Sequence, residues 1–431
     1  MRKNKFIRGT IILIIGGFIS KLLGMVTKII TTRYIGDEGI SLYMLIMPTF
    51  LLFLNICQLG FPVAISKLVA ENNKSNKKIV FSSLSISFVL NVVLLIIVLL
   101  ISPIITKLLH ENRVLYPLMA IGLVLPFVSI SNIIRGYFFG KEKMFAHTTS
   151  NIFEQIVRLI LIIFVTPILL KHGLVAAVTG VVLLNIISEL TSIVILIFFL
   201  PKKVTIKKSD MKPDKTIIKD VLNISIPTTG SRLIGSIGYF LEPIILTSVL
   251  LKVGYSNTFI LNEYGTLTGY VMPLLMIPSF FTQAIGSALI PVISKGYSDK
   301  HITYVKNKIK QGELFSFIIG ISVTLVIMLW PKTLLRIIFN TQMGSNYLRF
   351  MAPFYIAYYL QVPLTAALQA MNRAREAMIS TVIGVSSKIG LMIILSSLRA
   401  GMYGFIIAGI SNIFIVTIYN YIKVKRALNQ S

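Results

Sequence analysis

Six stretches of this 431-residue chain contain no Asp, Glu, Lys or Arg: 39–66, 79–106, 114–134, 264–294, 350–372 and 400–422. Each exceeds the roughly 18 apolar residues that a helix needs to cross a hydrocarbon core. Charged residues make up only 13% of the chain, against about 25% in a water-soluble domain. A backbone crossing lipid must satisfy its own hydrogen bonds, so stretches of this length predict an all-α, polytopic membrane protein.

Helix length and breaker positions predict twelve transmembrane helices, at 8–31, 41–66, 79–106, 115–139, 148–170, 174–199, 222–251, 267–292, 313–335, 347–371, 376–397 and 401–422. The basic N-terminus MRKNKFIRG leads into the first of these. That segment carries Lys21 and Lys28 inside it and lacks a small-residue cleavage site, so it reads as a retained span and not a secretory leader. Interior prolines (Pro48, Pro126, Pro227, Pro243, Pro273, Pro278, Pro353 and Pro363) predict kinked helices.

The net charge of +27 would suit nucleic acid only if the basic residues shared one wet surface. Here apolar spans separate them, and the positive-inside rule gives the better account. With twelve spans, 27 basic residues fall on the side of the termini, and nine on the other: Arg33, Lys107, Arg113, Lys171, Lys252, Lys332, Arg336, Arg349 and Arg399. The bias puts both termini in the cytoplasm of a multi-pass cell-membrane protein, with membrane lipids and no nucleic acid as partners. Cys57 stands alone, so no intramolecular disulfide is expected. The four histidines, His110, His147, His172 and His301, are scattered. No nucleophile with a base, no metal cluster and no phosphate loop is evident, so the expectation is no enzyme, no metal and no cofactor.

The sequence repeats itself. Ser20-Lys21-Leu22-Leu23-Gly24 returns as Ser231-Arg232-Leu233-Ile234-Gly235, and Met47-Pro48 as Met272-Pro273. Pro62-Val63-Ala64-Ile65-Ser66-Lys67 returns as Pro291-Val292-Ile293-Ser294-Lys295, and Gly140-Lys141-Glu142-Lys143-Met144 as Ala374-Arg375-Glu376-Ala377-Met378. The matches keep their order, each at the equivalent helix, so the prediction is two six-helix repeats around a central cavity. The lobes are expected at 1–200 and 221–431, joined by a basic cytoplasmic linker at 201–220.

Nine ionisable residues remain inside the spans: Lys21, Lys28, Arg135, Arg158, Arg232 and Lys388 against Glu154, Glu189 and Glu242. A charge at the bilayer centre costs roughly 2.5–3.5 kcal/mol on insertion scales, so each needs a partner or a wet cavity. Lys21 and Arg232 occupy equivalent places near mid-membrane in the two repeats, and two cations facing one cavity would bind an anion. Lys28 and Arg135 lie near span ends, where substrate contact competes with snorkelling to the interface. Glu154 and Arg158 are spaced i, i+4 and can pair, which competes with a substrate role for Arg158. Glu242 can hold Lys21 or Lys388 as part of a gate. Glu189 can relay protons or pair with Lys388.

The segments Ser20–Gly24, Gly60–Lys67, Arg135-Gly136-Tyr137-Phe138-Phe139-Gly140 and Ile226–Gly235 carry a resemblance. The chain resembles the stage V sporulation protein B-like, polysaccharide biosynthesis flippase family of the multidrug/oligosaccharidyl-lipid/polysaccharide (MOP) exporter superfamily. The resemblance implies a MATE-like fold and alternating access. The implied cargo is an anionic polyprenyl-diphosphate-linked saccharide, a lipid-linked oligosaccharide or peptidoglycan precursor, carried with or without a coupling ion. In related murein-precursor flippases a Ser-Arg-apolar-Leu-Gly stretch supplies a cavity cation, and Lys21 matches that position. A further cavity arginine after the helix 2 proline is replaced here by Leu51, Leu52 and Phe53. The competing reading is a cation-coupled multidrug exporter of the same superfamily, for which carboxylates are expected in the first four spans; this chain has none there.

Overall fold

The computed structural model describes residues 2–201 and 208–430, and the described residues form helices and short connections with no strand. Of the expected linker, 202–207 lie outside the described residues. Among the described residues, ten helices are long and apolar enough to cross a membrane. One of them, Ile12–Glu71, runs for 60 residues with interruptions at Gly36 and Leu59–Gly60, far more than one crossing needs. Large apolar side chains stand outward on these helices, for example Phe198 at 82% and Phe88 at 71% exposure. Exposure on that scale is stable only against lipid. The protein is a multi-span, all-α membrane protein.

The chain divides into two compact units, Met1–Phe240 and Leu241–Ser431. The first holds α1 (Arg2–Gln58), α2 (Phe61–Glu71), α3 (Asn76–Leu108), α4 (Leu115–Gly140), α5 (Met144–Leu170), α6 (Leu174–Phe198), α7 (Lys208–Met211) and the first part of α8 (Lys215–Lys252). α1 holds the first expected span and the second as far as Gln58, the rest of which lies in α2 beyond a turn at Leu59–Gly60; within α1 the helix is broken at Gly36, with φ 68° and ψ −173°. Only glycine adopts that conformation at low cost. A methyl group there would meet nothing within 4 Å, so Gly36→Ala carries a purely conformational penalty. Thermal unfolding of detergent-purified protein is expected to show a loss of about 1–3 kcal/mol.

α1 lies along α5 on a line of glycines. A Cβ at Gly9, Gly16 or Gly24 would approach Met144 to 3.2 Å, Thr148 to 1.8 Å and Gln155 to 3.5 Å respectively. Small residues at this spacing let two helices approach closely where no hydrophobic effect drives them together. α4 meets α2 in the same way, through Gly136 against Pro62 and Gly140 against the Ser66 carbonyl.

The expected lobe boundary at 201–220 and the observed division differ, because the start of α8 is built into the first unit. Ile217 and Val221 share a core with Phe61, Ile65, Leu68 and Ile79. Gly60 abuts Ser225 and Thr228. Further along, the Asn55 amide donates to Ser236 Oγ at 2.7 Å.

At the other end of α3 and α4, the Arg113 guanidinium donates to both Glu111 carboxylate oxygens at 2.8 Å and also pairs with Glu38. These hydrogen bonds hold the Glu111 carboxyl below the usual carboxylate range. The stabilisation is therefore complete above the ordinary carboxylate pKa of about 4.3 and is lost as pH falls through the lowered native value. Arg113→Ala is expected to cost at most about 1 kcal/mol at neutral pH, since the cluster is partly solvated. The gap in melting temperature from wild type should close below about pH 4.

The second unit contains the rest of α8, α9 (Asn257–Thr266), α10 (Met272–Leu275), α11 (Ile277–Ser298), α12 (Ile302–Leu329), α13 (Pro331–Phe339), α14 (Ser345–Met351), α15 (Tyr355–Ala370), α16 (Ala374–Ser397) and α17 (Met402–Asn429). Three expected spans look different here. The span at 267–292 starts in a π-helical turn, Leu267–Val271, and breaks again at Met276 before Pro278. The Tyr359 hydroxyl donates to the Leu275 carbonyl at 2.6 Å and so satisfies an acceptor at the break. The span at 313–335 is instead α12, which ends before Trp330 because Pro331 cannot continue it and starts α13 as its first residue. The span at 347–371 is split into α14, a 3₁₀ turn Ala352–Phe354 containing Pro353, and α15.

Candidate functional site

Three helices of the first unit bring four of the nine intramembrane charges into one buried network. On α4, Ser131 and Arg135 lie one turn apart; on α5, Glu154 and Arg158 do the same; on α6, Ser188, Glu189 and Ser192 share a face. The Arg135 guanidinium donates to Glu154 Oε2 at 2.5 Å and to Ser192 Oγ at 2.8 Å, and lies 3.7 Å from Glu189 Oε2. Arg158 donates to the other Glu154 oxygen at 2.8 Å and to Ser188 Oγ at 3.3 Å. The Ser131 hydroxyl completes Glu189 at 2.6 Å.

Two arginines and two glutamates cancel, the Ser188 and Ser192 hydroxyls accept from the arginines, and Ser131 donates to Glu189, as a buried ionic cluster requires. Arg135 Nε is the one buried atom of the cluster without a hydrogen-bond partner. A ladder of smaller groups continues below it: Asn91 donates to Ser87 Oγ, Ser87 to Ser129 Oγ and Ser129 to the Cys57 carbonyl.

Two expectations change on this geometry. Arg135 does not snorkel; it is 9% exposed and its guanidinium is held by Glu154 and Ser192 between helices. Glu189 does not pair with Lys388, because α6 turns it toward α4 within the first unit. Lys388, in the second unit, pairs with Glu242 at 2.6 Å and sits 5.0 Å from the centre of the Phe405 ring. Ser131 and Ser192 carry a sequence signal in their spacing, i−4 from Arg135 and i+3 from Glu189, whereas Ser188, directly before Glu189, carries none.

The remaining cations are Lys21, Lys28 and Arg232. Lys21 and Lys28 flank Gly24 at i−3 and i+4 and so share its face of α1, the face that meets α5 at Gln155. Lys21 is exposed and Lys28 half-buried. Arg232 is exposed on α8, one turn before the Ser236 hydroxyl that Asn55 of α1 holds. Lys21 and Arg232 therefore both belong to the first unit. Among the described residues no group of three His, Cys, Asp or Glu side chains could hold a metal ion.

A helical membrane protein with an internal repeat and a set of charges buried within its spans has the form of a transporter. A family model for polysaccharide biosynthesis proteins matches residues 6–297, and one for MatE proteins matches 243–394. The chain belongs to the polysaccharide biosynthesis protein family. It is 36% identical to stage V sporulation protein B of Bacillus subtilis (strain 168), over 99% of this chain and 85% of that protein. Lipid II flippase MurJ of the same organism is 26% identical over 98% of this chain and 83% of its own length. Among solved structures, the inward-facing conformation of a multidrug resistance MATE family transporter of the MOP superfamily matches with a TM-score of 0.78, covering 95% of each chain at 17% identity. That likeness establishes the fold.

Proposed function

We propose that this protein is a flippase that moves an anionic polyprenyl-diphosphate-linked saccharide, an oligosaccharide or peptidoglycan precursor, from the cytoplasmic to the outer leaflet of the cell membrane by alternating access. Both termini are cytoplasmic in this reading, in accord with the 27 to nine distribution of basic loop residues. The protein acts as a transporter and forms no covalent intermediate.

One observation carries the reading. Glu154, Glu189 and Glu242 are each held by Arg135, Arg158 or Lys388. The intramembrane set holds six cations against three carboxylates, and a positive surplus of this kind suits a diphosphate and repels a cationic drug. In this account Lys21 and Arg232 receive the diphosphate, with Lys28 beside them. Arg135 and Arg158, engaged with carboxylates, position α4, α5 and α6 instead of touching cargo. The Glu242–Lys388 pair acts as a latch in the second unit. The relative named a lipid II flippase supports this class of cargo.

The membrane potential supplies direction. Moving one negative charge outward across 100 mV, inside negative, is favourable by about 2.3 kcal/mol. The match of residues 243–394 to the MatE family favours a second reading, a cation-coupled multidrug exporter. Reconstitution with a labelled undecaprenyl-diphosphate sugar separates the two. Imposing an inside-negative potential should accelerate its transfer to the outer leaflet and leave a lipophilic cation such as ethidium unmoved. Extrusion of the cation without lipid transfer would establish the exporter instead.

A further inference from the structure

We propose that the hairpin joining α11 to α12 binds a phosphodiester that bears a hydroxylated headgroup, as an anionic glycerophospholipid does. The cavity there has a volume of about 450 Å³. Its walls divide by chemistry: Pro291, Val292 and the Tyr304 ring are apolar, whereas Lys295, His301 and Asp299 are polar. Lys308 adds a second ammonium behind the aromatic wall, 5.5 Å from the Tyr304 ring centre.

The cavity floor is fixed. The backbone N–H groups of Asp299, Lys300 and His301 donate to the carbonyls of Lys295, Tyr297 and Gly296 at 2.9, 3.1 and 2.8 Å. A Cβ on Gly296 would come within 2.9 Å of Val305, so the two helices are locked at this corner. The first turn of the 28-residue α12 opens beside it, and its partial positive charge adds to the field of the lysines.

The internal repeat indicates what the cavity lacks. Pro291–Lys295 corresponds to Pro62–Lys67 in the first unit. There, the chain covers the equivalent hairpin with its own carboxylates: Asp220 pairs with Lys74 and Asp210 with Lys77 at 3.7 Å. The Asp214 N–H donates to Ser82 Oγ at 3.0 Å, while Ile217 and Val221 cover the apolar wall. In the second unit, Lys295, Lys300, Lys306 and Lys308 form no salt bridge among the described residues. An outside ligand with an anionic head and an apolar body would supply what residues 210–221 supply in the first unit. Lys295 and His301 would face the phosphate, Lys308, which donates to Gln311 at 3.0 Å, would add its charge from behind the Tyr304 ring, Asp299 would accept from a headgroup hydroxyl, and Pro291 and Val292 would meet the glycerol and first methylenes. The inference is independent of the transported cargo.

Native mass spectrometry of the detergent-purified full chain tests it. The probes are dioleoyl phosphatidylglycerol, dioleoyl phosphatidylcholine and inorganic phosphate. Wild-type protein is expected to hold phosphatidylglycerol in preference to phosphatidylcholine, and Lys295→Gln with Lys308→Gln to weaken that binding about tenfold or more. Lys171→Gln with Lys332→Gln, which removes the same charge elsewhere, should leave it unchanged. If inorganic phosphate binds in a Lys295- and Lys308-dependent way without a preference for phosphatidylglycerol, the site is assigned to a soluble phosphate. Equal binding of the two lipids, or binding unaffected by the double substitution in protein that retains its helical circular dichroism, overturns the proposal.

Discussion

Glu154→Gln is expected to destabilise the protein by about 3–5 kcal/mol, among the largest effects of any single polar substitution in the chain. Glu154 is 5% exposed and accepts from two arginines, Arg135 at 2.5 Å and Arg158 at 2.8 Å. The near-isosteric amide keeps the volume but removes the charge. Glu189 then balances Arg135, and Arg158 is left as an uncompensated, half-buried cation. A second substitution distinguishes lost charge balance from lost packing. In the double variant Glu154→Gln, Arg158→Gln the remaining Arg135 and Glu189 are again neutral as a pair, so the double variant should be more stable than Glu154→Gln alone. Chemical or thermal unfolding in detergent reads both. If the single substitution proves neutral, or the double is the sum of its parts, the network does not hold α4, α5 and α6 together as described.

The second large effect concerns cargo. Lys21→Gln and Arg232→Gln together are expected to slow lipid transfer at least about tenfold, corresponding to 1.4 kcal/mol or more of lost differential binding. The double substitution should change the unfolding temperature little, because both side chains are exposed and neither takes part in the Glu154 network. Transfer and stability should thus separate here, whereas both fall together in the Glu154 variant.

The membrane fold was legible in the sequence because uncharged stretches of this length admit few alternatives in water or lipid. Breaks and continuities were harder to read. The charge of Lys215–Asp220 suggests a linker, yet the segment runs without interruption into α8, since a helix leaving the membrane tolerates charge once it reaches water. Conversely, Met276 and Trp330 end helices inside apolar runs, where the prolines that follow them act locally. The Glu154–Arg158 pair was visible from its i, i+4 spacing. Arg135 with Glu154 and Glu189 with Ser131 were not, because each partnership depends on which faces of separate helices meet; Lys388 is one of the two partners that the sequence leaves open for Glu242, and the packing selects it. The placement of Arg232 in the first unit has the same origin: it follows from Asn55 and Gly60 gripping α8, which no repeat pattern encodes.

Charge-preserving and charge-removing substitutions, compared in one vesicle assay, address the central claim most directly. Proteoliposomes carrying wild type, Lys21→Arg with Arg232→Lys, or Lys21→Gln with Arg232→Gln would be scored for movement of a labelled undecaprenyl-diphosphate sugar between leaflets. The account predicts that the charge-swapped variant retains most of the wild-type rate and that the neutral variant loses it. Undiminished transfer by the neutral variant would contradict the assignment of Lys21 and Arg232 as the groups that receive the diphosphate.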